Sequence, residues 1–70
     1  MLENRSITTI SDWARIYDKA GYTLVNAFNI NDSSSKYIHG IQRVSTGGYT
    51  LLFSGVNSEQ VSVWLVWMKH

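Results

Sequence analysis

The sequence predicts an α+β domain, with one short N-terminal helix followed by a four-stranded antiparallel meander and the helix packed on one face of the sheet. Three observations carry this. Apolar residues between Trp13 and Ala20 recur at intervals of three and four, the spacing of one helix face. From Tyr22 onward the period changes to two, the alternation of strands. The strand-like runs are separated by short polar or glycine-containing stretches, and short connections join antiparallel neighbours.

Residues 1–9 are polar and are expected to form a partly ordered segment. It is either a short edge strand around Thr8 and Thr9 or a tail draped over the fold, anchored by Ile7 and Ile10. The helix is expected over 11–20. The Ser11 hydroxyl is suited to cap the first amides, and Asp12 puts a negative charge where the helix dipole favours it. Trp13, Ile16, Tyr17 and Ala20 form the apolar stripe, and Gly21 is suited to the left-handed residue that ends a helix. Ten residues are too few for a helix to be stable in isolation, so this one depends on packing of Trp13 and Tyr17.

Strands are expected over 22–30, 36–44, 49–54 and 60–69. In the first, Tyr22, Leu24, Asn26, Phe28 and Ile30 alternate with Thr23, Val25, Ala27 and Asn29. The polar run Asn31 to Ser35 reads as a hairpin loop, because such side chains compete for backbone hydrogen bonds. In the second strand Tyr37, His39, Ile41 and Arg43 share one face, and neither face is cleanly apolar. Ser45-Thr46-Gly47-Gly48 is the strongest turn signal, since paired glycines accept the positive φ of a tight hairpin. Tyr49, Leu51 and Phe53 line one side of the third strand, and residues 55–59 make the next turn.

The last strand is apolar on both faces from Val63 onward. Val61, Val63, Leu65 and Trp67 alternate with Ser62, Trp64, Val66 and Met68. A ten-residue helix covers two or three strands at most, which leaves apolar area on one sheet face, and such area marks a binding surface. Trp64, Val66, Trp67 and Met68 are therefore the expected protein interface. If this strand lies at the sheet edge, it is also able to pair with its symmetry mate.

Composition narrows the alternatives. Seventy residues make one domain, and a chain this short buries only about 60 % of its unfolded surface. With no cysteine, disulfides and thiolate metal sites are excluded. Stability must come from the 44 % hydrophobic and 13 % aromatic content or from association. The net charge of +1 and pI of about 8.1 produce no strong field towards nucleic acid or anionic lipid. The longest apolar run, 63–68, is far short of the roughly 20 residues of a membrane helix, and the first residues lack a signal-peptide core. A soluble, cytoplasmic protein with no membrane partner is the expectation.

No catalytic motif appears. Gly47-Gly48 lacks the following Lys-Ser or Lys-Thr of a phosphate loop, and Ser54-Gly55 is ordinary turn chemistry. His39 with Asp12, Asp18, Asp32 or Glu59 has no local metal-ligand spacing, so His39 reads as a strand histidine bonded to backbone. No enzyme activity and no cofactor are expected. The function these residues suggest is a small protein-binding module, a self-associating regulatory or inhibitory factor of the kind viruses and mobile elements encode. Its partner would be a second copy, in a homodimer, or a foreign protein. The alternative is RNA or single-stranded DNA binding through a strand face carrying Tyr37, His39 and Arg43 with Tyr49 across the hairpin. Carbohydrate binding by aromatic stacking is a weaker third.

Overall fold

The computed structural model describes residues 1–29, 37–55 and 57–70. Six strands, β1 (Leu2–Thr8), β2 (Trp13–Ile16), β3 (Tyr22–Phe28), β4 (Ile38–Arg43), β5 (Tyr49–Phe53) and β6 (Gln60–Lys69), form two three-stranded antiparallel sheets. Their orders are β1-β6-β3 and β2-β5-β4. The sheets pack face to face around a single core (Ala14, Ile16, Leu24, Ala27, Tyr49, Leu51, Phe53, Val61, Val63, Leu65 and Trp67). The fold is all-β, and the expected α+β meander is overturned. Among the described residues there is no helix, hence none long and apolar enough to cross a membrane.

The helix expected over 11–20 is replaced by a turn and the four-residue strand β2. Ser11 has φ 61°, a left-handed conformation that no helix N-cap adopts. Two residues later the chain pairs with β5, Trp13 opposite Leu52 and Ile16 opposite Tyr49. The stripe is split by this geometry: Ala14 and Ile16 turn inward, whereas Trp13 and Tyr17 are exposed. An isolated helix of this length lacks stability of its own, so a partner strand and a core position for Ile16 prevail over local periodicity.

Of the two forms expected for residues 1–9, a short edge strand or a draped tail, the structure has the edge strand, and a longer one: Leu2–Thr8 pairs with β6 along its length, from Leu2 opposite Val66 to Thr8 opposite Gln60. β6 therefore has neighbours on both sides and is the centre of its sheet. It has no free edge to extend through a symmetry mate. The strands otherwise lie near their expected positions, with shorter ends at Phe28, Ile38 and Phe53. The polar loop expected at 31–35 lies outside the described residues.

Because every pairing is antiparallel, the six strands alternate in direction and sort the connections to two ends. Residues 9–12, 54–55 and 57–59 lie at one end. There Thr9 is buried, and its hydroxyl and amide bond the backbone of Glu59 at 2.9–3.2 Å. Residues 17–21, the 44–48 turn and the two chain ends form the other. The expected tight turn is present, with φ 118° at Gly47 and 77° at Gly48. At Gly48 a Cβ would also lie 2.7 Å from the Ile16 carbonyl oxygen, so both conformation and close approach require glycine.

Two bulges change which residues face the core. The β3–β6 register slips between Leu24 and Asn26, and the β4–β5 register between Ile38 and Gly40. Val25 and His39 are the extra residues. Beyond each bulge the inward and outward sets exchange, so Leu24 and Ala27, three apart, are both buried.

The layers are joined through Tyr49. Its ring meets Trp67 edge to face, with centroids 6.2 Å apart and planes at 72°. Its hydroxyl accepts a hydrogen bond from the Leu24 amide at 3.1 Å, which satisfies a backbone donor freed beside the β3 bulge.

Candidate functional site

The outer face of the β1-β6-β3 sheet is the most distinctive surface of the molecule. Strand alternation sends Leu2, Asn4, Ser6 and Thr8 of β1 outward beside Val66, Trp64, Ser62 and Gln60 of β6. On the other flank Thr23, Asn26 and Phe28 of β3 stand beside Met68, Val66 and Trp64. Not one of these side chains is charged. Half of the face, towards Gln60, is polar and internally bonded: Gln60 Nε2 donates to Ser6 Oγ at 2.8 Å and Asn4 Nδ2 to Ser62 Oγ at 3.1 Å. The other half is apolar. Leu2 is 58 % exposed, Met68 60 % and Phe28 40 %, with Trp64 and Val66 half-buried between them and Val25 exposed at the adjoining bulge.

Three of the four expected interface residues, Trp64, Val66 and Met68, stand on this face. Trp67 does not. It is 1 % exposed inside the sandwich, and its indole Nε1 donates to Glu3 Oε1 at 2.9 Å. Strand parity alone separates it from the other three. Leu2, Val25 and Phe28 belong to the apolar surface and were not expected there. The alternation of Leu2, Asn4 and Ser6 with Glu3, Arg5 and Ile7 was a signal for Leu2. No sequence signal marks the bulge that turns Phe28 outward.

The expected nucleic-acid face is not one surface. Tyr37 lies before β4 at one end of the molecule and His39 on the β4 bulge, whereas Arg43 and Tyr49 sit at the opposite end as register partners. Six strand residues separate Tyr37 from Arg43 by roughly 20 Å. Tyr49 is buried, with the Arg43 guanidinium 4.9 Å from its ring centroid.

At that end Arg43 Nη1 bonds Asp18 Oδ1 at 2.6 Å and the Gly48 carbonyl at 3.0 Å. The Arg43 hydrogen bond and the Gly48 amide hold the Asp18 carboxyl below its ordinary range, and Asp18 in turn raises Arg43. Arg15 Nη2 bonds the Gly47 carbonyl at 2.7 Å, so both arginines brace the glycine turn. Glu3 and Arg5 form a second pair at 3.3 Å on the inward side of β1. Burial acts to raise the Glu3 carboxyl, but hydrogen bonds from Trp67 and Arg5 and the Arg5 charge outweigh it and leave it lowered. Inward charges of this kind also protect an edge strand from unwanted pairing.

Among the described residues no group of three His, Cys, Asp or Glu side chains is placed to hold a metal ion. His39 is exposed and belongs to no such group among the described residues. Comparison of the chain with protein-family models, curated proteins and solved structures finds no match.

Proposed function

We propose that this chain is a protein-recognition module that works through the outer face of the β1-β6-β3 sheet, and that the partner on this face is a second copy. The observation that carries the reading is a broad sheet face with no charged side chain and an apolar half formed by Leu2, Phe28, Trp64, Val66 and Met68. Near a two-fold axis each residue meets its own copy, so a charged face would oppose like charges, and a neutral one does not. Aromatic and Met side chains are enriched at such contacts. Since β6 is the central strand, the contact is face to face, with no strand pairing across the axis.

The test is the solution mass over a concentration series. The parent chain should rise from 8.0 kDa to twice that value. Val66→Lys should remain monomeric with an unchanged far-ultraviolet spectrum, whereas Thr50→Lys, on the outer face of the other sheet, should dimerise like the parent. A parent chain that stays monomeric to millimolar concentration refutes the self-partner, and a Val66→Lys dimer refutes the face.

A further inference from the structure

The end of the sandwich formed by residues 17–21, the 44–48 turn and the last residue of the chain contains an open cavity of about 550 Å³. That is within the span of small-molecule sites. Leu24 and Tyr49, both buried, form its apolar floor, and the half-buried Tyr22 ring is a wall. Lys19, Arg43 and His70 stand around it together with Asp18, whose carboxylate is tied to Arg43.

Charge is unevenly divided between the two ends. Arg15, Lys19, Arg43 and Lys69 cluster at the cavity end against Asp18 and Glu3, while the opposite end carries Asp12 and Glu59 among the described residues. The cations also sit over rings: Arg15 is 5.5 Å from the Tyr17 centroid, Lys19 5.8 Å from Tyr22 and Arg43 4.9 Å from Tyr49. Arg15 Nη2 bonds the Gly47 carbonyl, and Arg43 Nη1 bonds Asp18 and the Gly48 carbonyl, while the Arg43 side chain as a whole is 57 % exposed. Lys19 differs. Its ammonium faces the Tyr22 ring and, among the described residues, has no carboxylate within ion-pair distance, with Glu3 acting on it only from farther away, so its charge is available to a ligand.

We infer that this cavity binds a nucleotide unit, a planar base with an attached phosphate. The base would lie against Tyr22 above the Leu24–Tyr49 floor, and the phosphate would take the Lys19 ammonium and the exposed side of the Arg43 guanidinium. Aromatic side chains stack every base, and Arg and Lys are the common phosphate partners. Thr23 and the His70 ring, hydrogen-bonded to each other at the rim, supply polar groups at the height of a sugar. A free mononucleotide and the phosphorylated end of a single strand present the same chemistry. This site adjoins the sheet face at Thr23, and the inference does not rest on dimerisation.

The test is a titration of the isotopically labelled full chain, followed by amide NMR, with adenosine 5′-monophosphate, adenosine and inorganic phosphate. The monophosphate should shift amides of residues 18–24, 43–49 and 70 saturably, and the two fragments should bind at least tenfold more weakly. Lys19→Gln and Tyr22→Leu should each weaken the monophosphate at least fivefold at unchanged melting temperature, and Lys19→Arg should restore binding. A 5′-phosphorylated tetranucleotide that binds more tightly than the monophosphate assigns the site to strand ends, and equal binding assigns it to free nucleotides. Absence of saturable shifts to millimolar monophosphate, phosphate alone binding as tightly, or indifference to both variants would overturn the assignment.

Discussion

The two sheets share a core but present opposite outer faces. On the β2-β5-β4 sheet, Trp13 and Leu52 meet over Gly40, and the next row is Arg15, Thr50 and Gln42. The Leu52 side chain lies over the glycine, 3.2 Å from where a Cβ would stand, so this face covers part of its own apolar surface and carries a charge. On the β1-β6-β3 sheet none of the described strands lies over Trp64, Val66 and Met68, and no charged strand residue interrupts them. The difference teaches that the sandwich does not need the second face to be apolar. Its core is complete without Leu2, Val66 or Met68, and the proposed self-contact rests on that difference.

The comparison is sharpened most strongly on β6 itself, where adjacent residues belong to the core and to the outer face. Leu65→Ala should cost about 2–5 kcal/mol in urea unfolding, because it leaves a cavity among residues that are essentially inaccessible. Val66→Ala should cost under about 1 kcal/mol, measured below the dimer's dissociation concentration so that association does not contribute. Equal costs would mean that the outer face supports the monomer fold and would remove the case for a partner.

A smaller effect tests the link between the sheets. Tyr49→Phe keeps the ring against Trp67 but leaves the Leu24 amide without its acceptor, and should cost about 1–3 kcal/mol. Loss of dimer mass in this variant would tie the outer face to inter-sheet packing, whereas an unchanged mass separates the two.

The smallest expected effect is at the β1 edge. Folding lowers the Glu3 carboxyl, so its contribution is present above the ordinary carboxylate range and is lost as pH falls through the lowered folded value. Glu3→Gln should therefore be slightly less stable than the parent at neutral pH and should converge with it as the parent's carboxyl is protonated in acid, as followed by melting temperature. Partial exposure and solvent screening keep the difference small. A difference that persists through the acid range would point to the Trp67 hydrogen bond, independent of charge.

Much of the strand content was legible because alternation is a local signal. β5 and β6 follow it closely, and the apolar outer half of β6 could be read directly from Trp64, Val66 and Met68. Trp67 belongs with Val61, Val63 and Leu65 by the same alternation, so its inclusion in the expected interface runs against a parity that the sequence itself carries. The Tyr37, His39, Arg43 and Tyr49 surface failed for another reason. A bulge adds one residue and reverses parity, and neither Val25 nor His39 differs in type from an ordinary strand residue.

By itself the sequence determined a single cysteine-free domain, the glycine turn at 47–48 and a last strand with two apolar faces. These follow from composition and short-range stereochemistry. Only the tertiary structure decided that residues 13–16 are a strand, that residues 2–8 complete a sheet and that β6 is its centre. Those choices depend on contacts between residues far apart in the chain, such as Leu2 with Val66 and Ile16 with Tyr49. A segment of four to seven residues has too little intrinsic preference to fix its own conformation, so the partner strand and the shared core determine it.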